Sequence, residues 1–253
     1  SVLIFNADGS GRRVYARGVR NNAGLDLHPL TGALWATHNG HDREGRSLPP
    51  EWIDIVREDG FYGWPLAFGF QRWTDFTISH YLDALSPITD ADRRDVESMR
   101  RPVALIPAHL APMAIHFYTH DQFPKQYRNS AFVAMRGGSN AGVPGYKVMA
   151  LFCEHDGSEA RVIDFLTGLE RQGRPWGKPV GLATDNEGNL YVSSDWVNHF
   201  VMRISRDDGS VHWEHDMPSV VTNGDTLIVE ALIHVSRARG AASVTLDLSS
   251  IGG

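Results

Sequence analysis

Apolar and polar residues alternate in short runs along this chain, the runs are separated by turns built on Gly, Asn or Asp, and helical periodicity is nearly absent. Two segments share one pattern. Gly24–Gly40 reads GLDLHPLTGALWATHNG and Gly181–Asp195 reads GLATDNEGNLYVSSD. Each begins Gly-Leu, alternates, turns through residues ending at Gly32 or Gly188, and resumes with Leu and an aromatic residue, so each predicts a β-hairpin. A third, degenerate copy runs from Met113–Tyr118 to Ala131–Met135 across a longer loop, and outer strands are expected at Tyr146–Cys153 and Val201–Ser205. Hairpins repeated every several tens of residues predict an all-β fold, a β-propeller, whose blades take roughly 40–50 residues each.

Residues 1–213 would then supply about four blades of a partial β-propeller. Ser1 enters in mid-blade, which predicts that N-terminal blades are missing and that the sequence is part of a longer protein, because an open propeller leaves unpaired sheet edges. The Pro-bounded, charged stretch Ser86–Arg101 is expected to be a solvated insertion with a helical turn or two. Residues 214–253 read as a linker and the first strands of a β-sandwich: NGDTLIVEALIHVS and ASVTLDLSSIGG alternate with period two, like the opening strands of an immunoglobulin-like sandwich.

Composition narrows the classes. With 253 residues, 42% of them hydrophobic and 21% charged, the chain is long enough to bury a sizeable core. A net charge of −6 with scattered arginines argues against nucleic acid as a partner, and no apolar run reaches the roughly 18 residues of a membrane span. The single cysteine, Cys153, excludes a disulfide framework and a thiolate metal cluster; it is expected to be a small buried strand residue.

Candidate chemistry lies at the hairpin ends, since inner strands of a propeller bring their ends to the central channel. Arg20 and Asn21 precede the first hairpin, His109 leads into the third copy, Arg136 follows its second strand, and Lys178 precedes the hairpin starting at Gly181. Cations converging on one channel would hold a multiply anionic ligand, although the same residues could make ordinary rim salt bridges. At the other end of the first hairpin, THNGHD offers either a His38/His41 pair for a transition metal or a turn exposing carbonyls to calcium. His116 and His120 lie about 13 Å apart on a strand, too far to share one ion. Trp64-Pro65 is expected to pack between blades, and no nucleophile elbow or phosphate loop is present.

Four stretches, GVRNNAGLDLHPLTGALWATHNGHDREGRSLPPEWIDIVREDGFYGWP, PAHLAPMAIHFYTHDQFPKQYRNSAFVAMRGG, GYKVM with DFLTGL, and RPWGKPVGLATDNEGNLYVSSD, together resemble the soluble pyrroloquinoline-quinone (PQQ) sugar dehydrogenases, the sorbosone and pyranose dehydrogenase group related to soluble glucose dehydrogenase. The resemblance implies a six-bladed propeller, PQQ across the channel with a calcium ion (Ca2+) at its quinone, oxidation of an aldose or related sugar or alcohol by hydride transfer to the quinone, an external electron acceptor, and a periplasmic or secreted location. By position it implies cofactor contacts from Arg20, Asn21, Asn39, Arg136 and Lys178 and calcium ligation by the backbone carbonyls of Gly40 and His41; His109 is a further cofactor-binding candidate only from its place before the third copy. Arg136 falls where the family has a lysine and Lys178 where it has an arginine, and these cations are not interchangeable at a bidentate site. The family's general base is a histidine expected upstream of Ser1, so none of the twelve histidines here takes that role and the chain alone is expected to be inactive. Two other readings stay open: a non-catalytic extracellular binding propeller and a calcium-dependent lactonase-type hydrolase.

Overall fold

Strand boundaries follow the alternation. A computed structural model describes residues 1–78, 87–138 and 145–206 and, beyond them, the strands Leu227–Leu232 and Val244–Thr245. In the first hairpin copy Leu25–Leu27 pairs antiparallel with Leu34–His38, which pairs with Glu51–Ile55, which pairs with Ala104–Ile106, making a four-stranded blade. The degenerate copy gives Pro112–Phe117, Ala131–Met135, Lys147–Phe152 and Arg161–Thr167 in the same antiparallel order, with Val244–Thr245 added in parallel outside. The last copy gives Gly177–Thr184, Leu190–Val197 and Phe200–Ser205, and Leu227–Leu232 pairs in parallel with its outer strand. Before these, Val2–Ile4 and Arg13–Ala16 form a two-stranded sheet. The fold is therefore the all-β propeller type, with three blades of four or more strands and three two-stranded sheets among the described residues, the other two pairing Ala67–Phe68 with Arg72–Trp73 and Glu170–Arg171 with Arg174–Pro175. The remainder of the expected sandwich segment lies outside them.

Each turn has a local cause. In the first hairpin Gly32 adopts φ +67° while the His28 ring accepts the amides of Leu30 and Thr31. In the last, Gly188 adopts φ +86° and the Asp185 carboxylate accepts the amides of Glu187 and Asn189. The two copies also share an inner-strand device: the Thr37 hydroxyl accepts the Gly24 amide and the Ser193 hydroxyl accepts the Gly181 amide. Thr37 in turn donates to the Met113 carbonyl at 2.6 Å, locking the second strand of one blade to the inner strand of the next. Glycine is required at position 24, because a Cβ there would collide with that same backbone carbonyl.

The core lies between blade faces. Trp35, Ile53, Ile115, Val133 and Leu151 fill one interface, and Tyr118, Phe132, Phe165, Leu190 and Met202 the next, all of them buried. Burying each such side chain contributes roughly 1.5–3 kcal/mol. Cys153, half-buried against the first of these clusters, has its thiol pushed up to about 11 by burial, which removes it from nucleophilic chemistry. The expected insertion contains one helix, Asp90–Ser98, with Thr89 as N-cap in a reciprocal capping box with Asp92. Its Val96 packs on Phe61, Leu66 and Met99, and its Asp95 takes both guanidinium nitrogens of Arg17 at 2.8 Å, fastening the insertion to the edge of the first sheet. No helix among the described residues is long and apolar enough to cross a membrane.

Candidate functional site

Inner strands that start at one end of the channel are followed by strands that return to it, so the residues before Leu25, after His38, around His109, after Met135 and before Gly181 share one rim. Backbone bonds make this explicit. Asn39 and Asn21 form an isolated antiparallel bridge, and the amides of Arg136, Gly137 and Gly138 donate to the carbonyls of Ala111, Leu110 and His109. Two adjoining polar clusters result.

The first is built on Arg20. Its backbone amide donates to His38 Nε2 at 3.1 Å, and its guanidinium donates to the Gly40 carbonyl at 2.8 Å and the Asn39 carbonyl at 3.4 Å while lying 5.7 Å from the Trp64 ring centroid. Burial, reinforced by the Arg20 charge, pushes His38 down to about 3 and His41 down to about 4, so both imidazoles are neutral at neutral pH. His38 stacks flat on Trp52, and the His41 ring packs beside Trp64 and Phe68. The Asn39 side chain is spent on structure: its Nδ2 donates to the Pro112 carbonyl at 2.7 Å. Next to Asn21, the Asn22 side-chain amide is buried with neither its oxygen nor its nitrogen hydrogen-bonded.

Glu51 braces this cluster from beneath. Its Oε2 accepts the Ala111 amide at 2.7 Å, and the amides of Gly40 and Leu110 also point at the carboxyl. Burial outweighs those amides and pushes the carboxyl up to about 8. One buried acid thus ties the Asn39–His41 turn to the His109–Ala111 turn, where His109 and Ala111 hold left-handed backbone at φ +67° and +51°. Backbone held in that region by its surroundings costs of order 1–3 kcal/mol per residue. His109 itself spans to a third loop, with Nδ1 3.0 Å from Asp42 and Nε2 2.8 Å from the Gly45 carbonyl.

The second cluster is built on Lys178 and Arg136. Ser194 accepts the Lys178 amide at 2.9 Å and fixes its backbone, and the Lys178 side chain is only 7% exposed as a residue. Its Nζ lies 5.5 Å from the Tyr146 ring centroid and 5.9 Å from that of Trp196, with no hydrogen-bond acceptor among the described residues. Burial first, then the Arg136 charge, lowers its pKa. Arg136 Nε, by contrast, sits 3.0 Å from both carboxylate oxygens of Asp195.

The rim therefore brings together Arg136 and Lys178 in one cluster and Arg20, Asn21, Asn39, Gly40, His41 and His109 in the other. It also engages four residues the sequence reading passed over, Glu51, Tyr146, Asp195 and Trp196. Trp64, expected between blades, instead lies against Arg20 and His41 at the site.

The expected metal ligation does not fit this arrangement. The Gly40 carbonyl already accepts from the Arg20 guanidinium, whose charge opposes a cation there, and Glu51 is a neutral acid turned toward backbone amides. Among the described residues no three His, Cys, Asp or Glu side chains gather around a point that could hold an ion. An anionic group fits better beside Lys178 and Arg136, because the two cations share the Asp195 carboxylate, which is hydrogen-bonded to Arg136.

A sequence model of the glucose/sorbosone dehydrogenase family matches residues 4–140, more than half of the chain. The chain belongs to that family. It is 31% identical over 201 residues to an uncharacterized protein of Borreliella burgdorferi, covering 78% of this chain and 50% of that protein. It is 27% identical over 130 residues to the aldose sugar dehydrogenase YliI of Escherichia coli (51% and 30%), and 24% identical over 219 residues to a pyrroloquinoline quinone-dependent sugar dehydrogenase of Hypocrea jecorina (76% and 49%). The chain thus spans half or less of the length of these curated relatives. Among solved structures, the calcium structure of the Trichoderma reesei family AA12 carbohydrate-active enzyme aligns with a TM-score of 0.53 at 22% identity, covering 71% of this chain and 50% of that one. The holo PQQ domain of Coprinopsis cinerea pyranose dehydrogenase aligns with a TM-score of 0.51 at 21% identity, covering 73% and 53%. At such identities the structural matches establish the shared propeller fold.

Proposed function

We propose that this chain carries part of the site of a glucose/sorbosone-type dehydrogenase that oxidises an aldose or related sugar or alcohol with pyrroloquinoline quinone as hydride acceptor. The observation that carries this reading is Lys178, 7% exposed as a residue and with no hydrogen-bond acceptor for its ammonium among the described residues, beside Arg136. A ligand with several carboxylates satisfies it: a charge-assisted hydrogen bond to Lys178 replaces a costly unpaired charge. When bound, the quinone supplies the electron sink for the hydride that leaves the sugar carbon.

The chain's own residues bind and orient. Lys178 holds one carboxylate; Arg136, fixed by Asp195, offers its remaining N–H groups to a second; the unsatisfied Asn22 amide is a further polar contact near Arg20. The rings of Tyr146 and Trp196 flank the Lys178 ammonium at 5.5 and 5.9 Å and help to hold it in place. Arg20, anchored on the Gly40 carbonyl and facing Trp64, supplies positive charge where the family resemblance places calcium. Because the chain covers half or less of its curated relatives, turnover is a property of the longer protein. The test is dye reduction by the full-length protein with a panel of aldoses, with and without added PQQ. PQQ-dependent reduction is expected; lactone hydrolysis without PQQ would replace this reading by the hydrolase one.

A further inference from the structure

The chain has three lysines, and their surroundings differ sharply. Lys125 is exposed on the 3-10 turn Lys125–Tyr127, and Lys147 holds its Nζ 2.7 Å from the Asp164 carboxylate. Lys178 is 7% exposed as a residue and makes no ion pair among the described residues. Its neighbours are two aromatic rings and the Arg136 guanidinium, and the nearby Asp195 turns both carboxylate oxygens to Arg136 Nε. Trp196 is 57% exposed, so the slot opens to solvent past that ring.

We propose that Lys178 is a carbonyl-reactive amine that condenses with small aldehydes and the open-chain form of reducing sugars when no anion occupies the rim. Burial of the residue and the neighbouring Arg136 cation disfavour the ammonium relative to the neutral amine, and together they outweigh the Asp195 charge and the two ring faces, which favour it. The lowered pKa of Lys178 agrees with that geometry. Each unit by which such a pKa falls raises the free-amine fraction at neutral pH about tenfold. Nζ gives up a proton to solvent, its lone pair adds to the carbonyl carbon, the carbonyl oxygen takes a proton, and the carbinolamine loses water to leave a C=N bond. No electron transfer is involved, and hydrolysis returns amine and aldehyde. The rings of Tyr146 and Trp196 present apolar faces to the carbon skeleton of the bound aldehyde. This chemistry needs no quinone and stands independently of the dehydrogenase reading.

The test is reductive trapping of the folded chain with glyceraldehyde and cyanoborohydride at neutral pH, with adducts mapped by mass spectrometry and the Ser1 α-amine scored separately. Lys178 is expected to be labelled several-fold faster than Lys125 and Lys147, and the three are expected to become equivalent in denaturant. Labelling of Lys125 as fast as Lys178 in the folded chain, or a Lys178 preference that survives unfolding, would overturn the proposal.

Discussion

Replacing Glu51 by glutamine removes a carboxyl that burial raises to about 8 in the folded chain from 4.5. Between those values the folded chain holds a proton that the unfolded chain has released. The stability tied to that proton is fully present below pH 4.5 and is lost as pH rises through the folded value. The slope reaches about 1.4 kcal/mol per pH unit, so between pH 5.5 and 7.5 the wild type loses about 2–3 kcal/mol that Glu51→Gln does not lose. Asp54, raised to about 6 by burial, acts in the same direction in both proteins and cancels in the difference, as do His38 and His41. Urea unfolding followed by tryptophan fluorescence at several pH values measures the difference directly. A Glu51→Gln offset that is the same at pH 5.5 and 7.5 would refute the claim that Glu51 is a neutral brace between two site loops.

The structure makes further commitments. On the acid side, His38 and His41 are neutral in the fold, so stability they contribute above pH 6.5 is lost as pH falls toward 3–4, a decline readable in the same urea series. Gly24→Ala places a Cβ against the Met113 carbonyl and is expected to cost about 1–3 kcal/mol of overpacking strain, detected as a lowered thermal midpoint. Saturating calcium should leave that midpoint unchanged in the isolated chain. A site filled at a hundredfold excess over its Kd would add about 2.7 kcal/mol, so a rise of that size would restore the Gly40 and His41 carbonyls as ligands.

The blades were legible because a half-buried strand writes its pairing into a two-residue period, and the two clearest copies repeat even their turn glycines, Gly32 and Gly188. The nearness of Arg136 and Lys178 was expected from their places at the ends of neighbouring hairpins, although Lys178 lies within the strand Gly177–Thr184 rather than before it. What alternation could not show was which partner each cation meets. Arg136 meets Asp195 from 59 residues away, and Glu51 reaches Ala111 from 60 residues away, pairings set by how blades are arranged rather than by local sequence. Glu51 also looked like the start of an ordinary strand, and its burial comes from the loops folded over it. The Gly/aromatic turn at Trp64 likewise does not reveal its partners, Arg20 and His41.

Titration of PQQ into the purified chain by calorimetry, compared between wild type and Lys178→Met in the presence of EDTA, tests the central claim most directly. A lost charge-assisted hydrogen bond is worth about 1.5–3 kcal/mol, so the variant is expected to bind roughly 10–150-fold more weakly while its thermal midpoint is maintained. Equal affinity in the two proteins would contradict the assignment of Lys178 as the anchor of an anionic cofactor.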